Sequence, residues 1–135
     1  MTRTRQHLAY VTVVVRDYDE AKAFWVGILG FEEIEDTPLE DGKRWVLVAP
    51  PGSRETRLLL ARAVDDHQSS RIGDQTGGRV FLFLNTNDFW TDYERFRSKG
   101  VVFTKAPWEA DYGTVAVFED LDGNRCDLIQ LKDHK

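Results

Sequence analysis

Few side chains in this chain are of the kinds that do chemistry in company, so their places can be taken one by one. His7 precedes the first strand-like run, His67 sits in a polar linker and His134 in the tail. All three therefore read as solvated surface histidines rather than as ligands gathered round an ion. Cys126 is the only cysteine, which excludes an internal disulfide and a thiolate-rich metal site from one chain and leaves a buried core thiol as its expected role. Asp120-Leu-Asp-Gly-Asn124 has the look of a calcium loop but lacks the long spacing and terminal Glu of one, and reads as a hairpin turn. What remains is a set of aromatic, amide and carboxylate groups, chief among them Trp45, Asn85, Trp108, Tyr112 and Asp127, suited to stacking and hydrogen bonding.

Composition narrows the partners these groups could serve. The 18 basic and 23 acidic residues give a net charge of −5, and the cations are scattered rather than striped, which argues against nucleic acid. The longest apolar run, Val11 to Val15, is far short of the roughly 20 residues that cross a bilayer. Met-Thr-Arg-Thr-Arg is followed by no signal-like apolar region, so a cytoplasmic protein without a membrane partner is expected. A length of 135 residues with 41% hydrophobic content suits one domain with one core.

The elements that would position the polar groups occur twice. Leu8 to Arg16 is rich in β-branched residues, and Asp17 follows as a helix N-cap with Glu20 at the third helical position. Ala21, Phe24, Trp25, Ile28 and Leu29 then form one apolar stripe, and Gly30 is the left-handed stop. In the second copy Arg79 to Asn85 is the strand, Asp88 the cap, Phe89, Tyr93 and Phe96 the stripe, and Gly100 the stop. Three shorter strands are expected after each helix: Phe31 to Glu35, Arg44 to Val48 and Arg57 to Ala61, then Val101 to Thr104, Thr114 to Glu119 and Arg125 to Leu131. The loop Ala106 to Gly113 would carry Trp108 and Tyr112 into the seventh strand. These boundaries give a first module over about residues 8–62, a linker over 63–78 with a helical turn near Val64 to Ser70, and a second module over about 79–131.

One βαβββ unit covers one face of its sheet with its helix and leaves the other face in need of a partner. Two such units side by side would make a cleft. Alternation along the strands would aim Tyr10, Thr12 and Val14 of one copy, and Phe81, Phe83 and Asn85 of the other, toward it. The fold class is therefore α+β, two tandem βαβββ modules forming a curved, half-barrel-like sheet with a central cleft.

Two stretches carry a family likeness. Val15-Arg-Asp-Tyr-Asp-Glu-Ala-Lys-Ala-Phe-Trp25 with Leu29-Gly-Phe31 resembles the first-module signature of the vicinal-oxygen-chelate superfamily of glyoxalase, bleomycin-resistance and extradiol-dioxygenase proteins. Phe118-Glu-Asp-Leu-Asp-Gly-Asn-Arg-Cys-Asp-Leu-Ile129 is similar to that superfamily's closing motif. The likeness runs from about Leu8 to Leu131. It implies a metal held by up to four side chains, two from each module. Counting back seven residues from each capping Asp, the usual His positions fall on Tyr10 and on Phe81, or on Arg79 with the gap placed differently. The position that is often Glu in the first module falls on Leu59, and the closing Glu on Asp127. One ligand of four is kept, so no cofactor is expected, a divalent metal being disfavoured by the loss of donors.

With Tyr, Leu and Phe in place of His and Glu, the implied site becomes apolar and aromatic. Trp45, Trp108 and Tyr112 are candidate walls, Asn85 and Thr12 candidate polar contacts, and Asp127, enclosed by Phe81, Leu59 and Tyr10, a candidate general base with a raised pKa. Asp127 could equally pair with an Arg or accept the Tyr10 hydroxyl. The leading functional expectation is binding or sequestration of a small apolar or aromatic molecule, as the bleomycin-resistance branch implies. The rivals are a glyoxalase-like lyase, isomerase or dioxygenase with an atypical metal site or metal-free acid/base chemistry, and a subunit whose cleft is filled by its own side chains. The resemblance also implies a homodimer.

Overall fold

The computed structural model describes residues 3–132; His134, read above as a tail histidine, lies outside them. In the first half, β1 (Tyr10–Val15) leads into α1 (Tyr18–Lys22), and three strands follow, β2 (Glu32–Pro38), β3 (Arg44–Ala49) and β4 (Arg57–Arg62), in the sheet order β1-β4-β3-β2. The second half repeats the plan with β5 (Leu82–Asn85), α3 (Phe89–Ser98), β6 (Phe103–Ala110), β7 (Gly113–Glu119) and β8 (Arg125–Leu131), ordered β5-β8-β7-β6. The expected α+β duplication is thus present as two four-stranded sheets. The chain divides into two compact units between Ile72 and Gly73, inside the stretch read as a linker. That stretch carries the short helix α2 (Asp66–Ser69), capped by Asp65 accepting from the Gln68 N–H. No helix among the described residues is long and apolar enough to cross a membrane.

Each unit builds its core on one face of its sheet. In the first, Val13, Val15, Val46, Val48, Leu58 and Leu60 alternate onto the face under the helix, where Ala21, Phe24, Trp25 and Leu29 are also buried. Asp17 caps the helix, accepting from the Glu20 N–H at 2.9 Å, and Gly30 stops it at φ 86°, as the sequence predicts. The middle of the helix departs from expectation. Ala23–Ile28 is a π turn, with the Leu29 N–H bonded five residues back to the Phe24 carbonyl at 2.9 Å. A π turn rotates the residues after it relative to a regular helix. Phe24, Trp25 and Leu29 are nonetheless all buried, whereas Ile28, expected in the same stripe, stays half-buried.

The second unit buries Phe89 and Phe96 against Phe118, Leu128 and Cys126. Asp88 stands at the N-cap, but its side chain makes no capping bond. The Phe89 N–H donates instead to Gln130 Oε1 at 2.8 Å, so the start of α3 is satisfied from β8 rather than by its own cap. Two further expectations are corrected. Strand β5 begins at Leu82, later than Arg79, although the Phe81 N–H still pairs with the Arg125 carbonyl. The expected loop Ala106 to Gly113 is mostly strand, because β6 runs through Trp108 to Ala110 and absorbs Pro107 in a register shift between Lys105 and Trp108.

A cluster of charges pins the helix of the first unit to its sheet. Asp36 accepts from Lys22 Nζ at 2.7 Å and from Arg44 Nη2 at 2.6 Å, and Arg44 also reaches Asp19 at 3.0 Å. The bond from Arg44, and then that from Lys22, hold the Asp36 carboxyl down at about 2. A carboxyl whose folded pKa is depressed contributes stability above its unfolded value, and that contribution is lost as pH falls through the folded pKa. Wild type and Asp36→Asn are therefore expected to differ in unfolding free energy at neutral pH and to converge as pH falls from about 4 towards 2, read by urea melts across that range. For α3, Gln130→Leu is expected to cost about 1–2 kcal/mol by leaving the Phe89 N–H unpaired. Asp88→Ala is expected to stay within about 0.5 kcal/mol in the same melts.

Candidate functional site

In a strand, residues two apart share a face, and in a sheet the residues opposite one another share it too. In the second unit the register pairs Phe83 with Asp127, Asp127 with Val117 and Val117 with Lys105. The next row along the same face runs Asn85, Ile129, Val115 and Trp108. This face is the one opposite α3, since Phe118, Leu128 and Cys126 of the helix-covered core alternate with it. Four of the candidate residues, Phe83, Asn85, Trp108 and Asp127, therefore stand together in two adjacent rows of one sheet. Phe83, 65% exposed, is the residue directly opposite Asp127. Phe81, the position counted back from the capping Asp, lies two residues before Phe83 and so one row off. Tyr112 is placed apart, in the turn between β6 and β7, where its carbonyl accepts from the Lys132 N–H.

Among the described residues, Asp127 is the one shielded group on this face whose bonding is incomplete. Its Oδ1 is shielded from water and accepts no hydrogen bond from any described residue. Burial raises the carboxyl above its ordinary value of 3.8, against the opposing pull of Lys105. The Lys105 ammonium lies 4.0 Å from the centre of the Trp108 ring, so the cation is held over an aromatic face rather than against the carboxylate. A buried acceptor without a donor costs free energy that a ligand donor would recover.

In the first unit, Thr12 and Leu59 are register partners and Tyr10 is opposite Arg57. The Tyr10 ring meets Trp45 edge-on at 5.8 Å across β4. Trp45 and Leu59 also line a cavity of about 260 Å³ at the end of the β3–β4 pair, which Tyr18, Leu39 and Val64 wall on the apolar side. Tyr10 and Thr12 are not among its lining residues. Of the expected residues in this unit, then, Trp45 and Leu59 share the cavity and Tyr10 reaches it only through Trp45. The neighbours Tyr18, Lys43 and Arg62 escaped the sequence reading because they lie on three different segments.

The donors do not suit the metal that the superfamily implies. Within the first unit the implied positions supply a phenol, Tyr10, and a hydrocarbon, Leu59. Within the second they supply a ring, Phe81, and the Asp127 carboxylate. Among the described residues no three His, Cys, Asp or Glu side chains converge, and a divalent ion needs several such donors. His7 and His67 are exposed.

The family model for the glyoxalase/bleomycin resistance protein/dioxygenase superfamily matches residues 7–128, and the chain belongs to that superfamily. An uncharacterised protein of Shewanella frigidimarina is 57% identical over 130 residues, 96% of either chain. Among solved structures, UcmS2 is 31% identical with a TM-score of 0.81, covering 93% of this chain and 98% of its own. TnmS3, an antibiotic binding protein from Streptomyces sp. CB03234, is 31% identical with a TM-score of 0.77, covering 97% and 100%.

The electrostatics of Asp127 are open to a direct check. Its carboxyl resonance is expected to titrate above 3.8. With the folded pKa raised, the stabilising preference of the native state for protonated Asp127 is present below the unfolded pKa and lost as pH rises through the folded value. Asp127→Asn, which stays neutral, is accordingly expected to be at least as stable as wild type at pH 7, with its advantage disappearing in acid.

Proposed function

We propose that this protein binds a small, mainly apolar or aromatic molecule and holds it without a resident metal ion. The observation that carries the reading is the surface around Asp127: a shielded, unpartnered carboxylate oxygen beside the exposed Phe83 ring, with Trp108 in the next row. Rings supply contact area at low entropic cost, and the lone acceptor selects a ligand that carries a donor. That TnmS3, similar in sequence and fold, is an antibiotic binding protein supports the same class of function here. A metal-free acid/base enzyme is the second reading, favoured by the raised Asp127 carboxyl, since a base poised nearer neutrality removes protons more effectively. Homodimer formation and a cytoplasmic location remain part of the proposal.

Binding raises a melting midpoint by mass action. 1-Naphthol is expected to raise it and to bind about tenfold more tightly than 1-methoxynaphthalene, the difference being one charge-assisted hydrogen bond. Asp127→Leu is expected to erase that preference while keeping the fold. Equal binding of the two compounds to wild type would remove Asp127 as the anchor, and stoichiometric zinc, nickel, manganese or iron in the purified protein would overturn the metal-free reading. Substrate turnover that Asp127→Asn abolishes without weakening binding would favour the enzyme.

A further inference from the structure

The cavity at the end of β3 and β4 has an electrostatic character unlike that of the Asp127 surface. Its walls are apolar and aromatic, through Trp45, Tyr18, Leu39, Leu59 and Val64, but every charged residue that lines it is a cation: Lys43, Arg44 and Arg62. The three are not equivalent. Arg44 is neutralised by Asp36 and Asp19. Arg62 lies over the Tyr18 ring, 5.3 Å from its centre, and among the described residues donates only to the Gly42 carbonyl, through Nη2 in a long bond of 3.3 Å. Lys43 forms no ion pair with any described residue. The acids nearest to it in sequence, Glu40 and Asp41, line with Lys43 and Leu39 an adjoining, more open depression and not the cavity itself.

We propose that this cavity is a second binding site, independent of Asp127, for a small aromatic carboxylate. Two cations without carboxylate partners at the mouth of an apolar space are complementary to a molecule with one anionic end and one ring. Arg62 is already oriented by Gly42 and Tyr18, so its remaining N–H donors are held in place for a carboxylate at little further entropic cost. Lys43, on an exposed and flexible stem, supplies a second positive charge from the rim. The 260 Å³ of space holds about nine water-sized groups at roughly 30 Å³ each. A cavity of roughly 150 Å³ accommodates benzene, so this space takes one ring bearing a carboxylate. Trp45 places an indole on the wall, so occupation is visible in its emission.

The test uses benzoate and its neutral isostere benzamide on the intact protein, followed by tryptophan fluorescence and by calorimetry. Benzoate is expected to bind about tenfold or more tightly than benzamide, with affinity falling as salt rises. Arg62→Gln and Lys43→Gln are each expected to weaken benzoate and leave benzamide unchanged. Lys43 is exposed, so its variant keeps the fold even if Arg62→Gln does not. Trp45→Phe is expected to silence the fluorescence response while calorimetry still records binding. Asp127→Leu is expected to leave benzoate affinity as it was, which separates this site from the Asp127 surface. Equal affinity for the two probes, no benzoate binding, an undiminished affinity in Lys43→Gln and Arg62→Gln, or a loss caused by Asp127→Leu would each overturn the assignment.

Discussion

Each unit depends on its last strand lying parallel to its first. A strand, a helix and then three strands can close a sheet with β4 beside β1, or β8 beside β5, only if the chain returns to the starting edge after building the far one. The helix then covers one face and leaves the other helix-free, where Leu47 of the first unit and Val115 and Ile129 of the second are nonetheless buried. Register carries the consequence. Because side chains alternate with a period of two, a slip of one residue between β5 and β8 would bring Cys126 and Leu128 to the helix-free face and push Asp127 under α3. The run of buried residues that alternates with Asp127, namely Cys126 with its partner Phe118 and Leu128 with its partner Ala116, makes that slip costly. The hydrophobic core thus fixes which polar group faces outward.

Three carboxylates show that incomplete bonding, rather than burial, distinguishes a candidate site. Asp36 is half-buried and matched by two cations, so it is held ionised and serves to tie α1 to β2 and β3. Asp120 is buried, and burial raises its pKa. It accepts from the Asp122 N–H at 3.0 Å, the Asn124 N–H at 2.9 Å and Asn124 Nδ2 at 2.8 Å. Those bonds lock the turn between β7 and β8 and leave little for a ligand to add. Asp127 is less buried than Asp120 but lacks donors. Unspent hydrogen-bonding capacity, and not the size of a pKa displacement, is what makes it available to a partner molecule.

Much of this was legible from local patterns. The N-cap at Asp17, the stops at Gly30 and Gly100, the strands from Arg44 and Arg57, and the turn at Asp120 to Asn124 are each set by residues close in sequence, where propensity and capping act. The features that escaped depend on tertiary partners. The π turn at Ala23–Ile28 runs through Phe24 and Trp25, both seated in the core, a demand no periodicity rule expresses. The Gln130 bond to the start of α3 spans 41 residues. Trp108, expected in a loop, lies in β6, where a bulge on an edge strand accommodates Pro107. Of the candidate residues, Phe83, Asn85, Trp108 and Asp127 share the helix-free face of the second sheet, with Phe83 rather than Phe81 opposite Asp127. Lys43 and Arg62 carry no signal in a single sequence beyond being two of many surface cations.

The single thiol has a practical corollary. Cys126 is 1% exposed, and burial pushes its ionisation well above the ordinary thiol range, so the reactive thiolate is scarce while the second sheet is intact. Modification by a disulfide reagent then requires that sheet to open. One chromophore released per chain becomes a built-in clock for excursions of the β7–β8 region, without any engineered label.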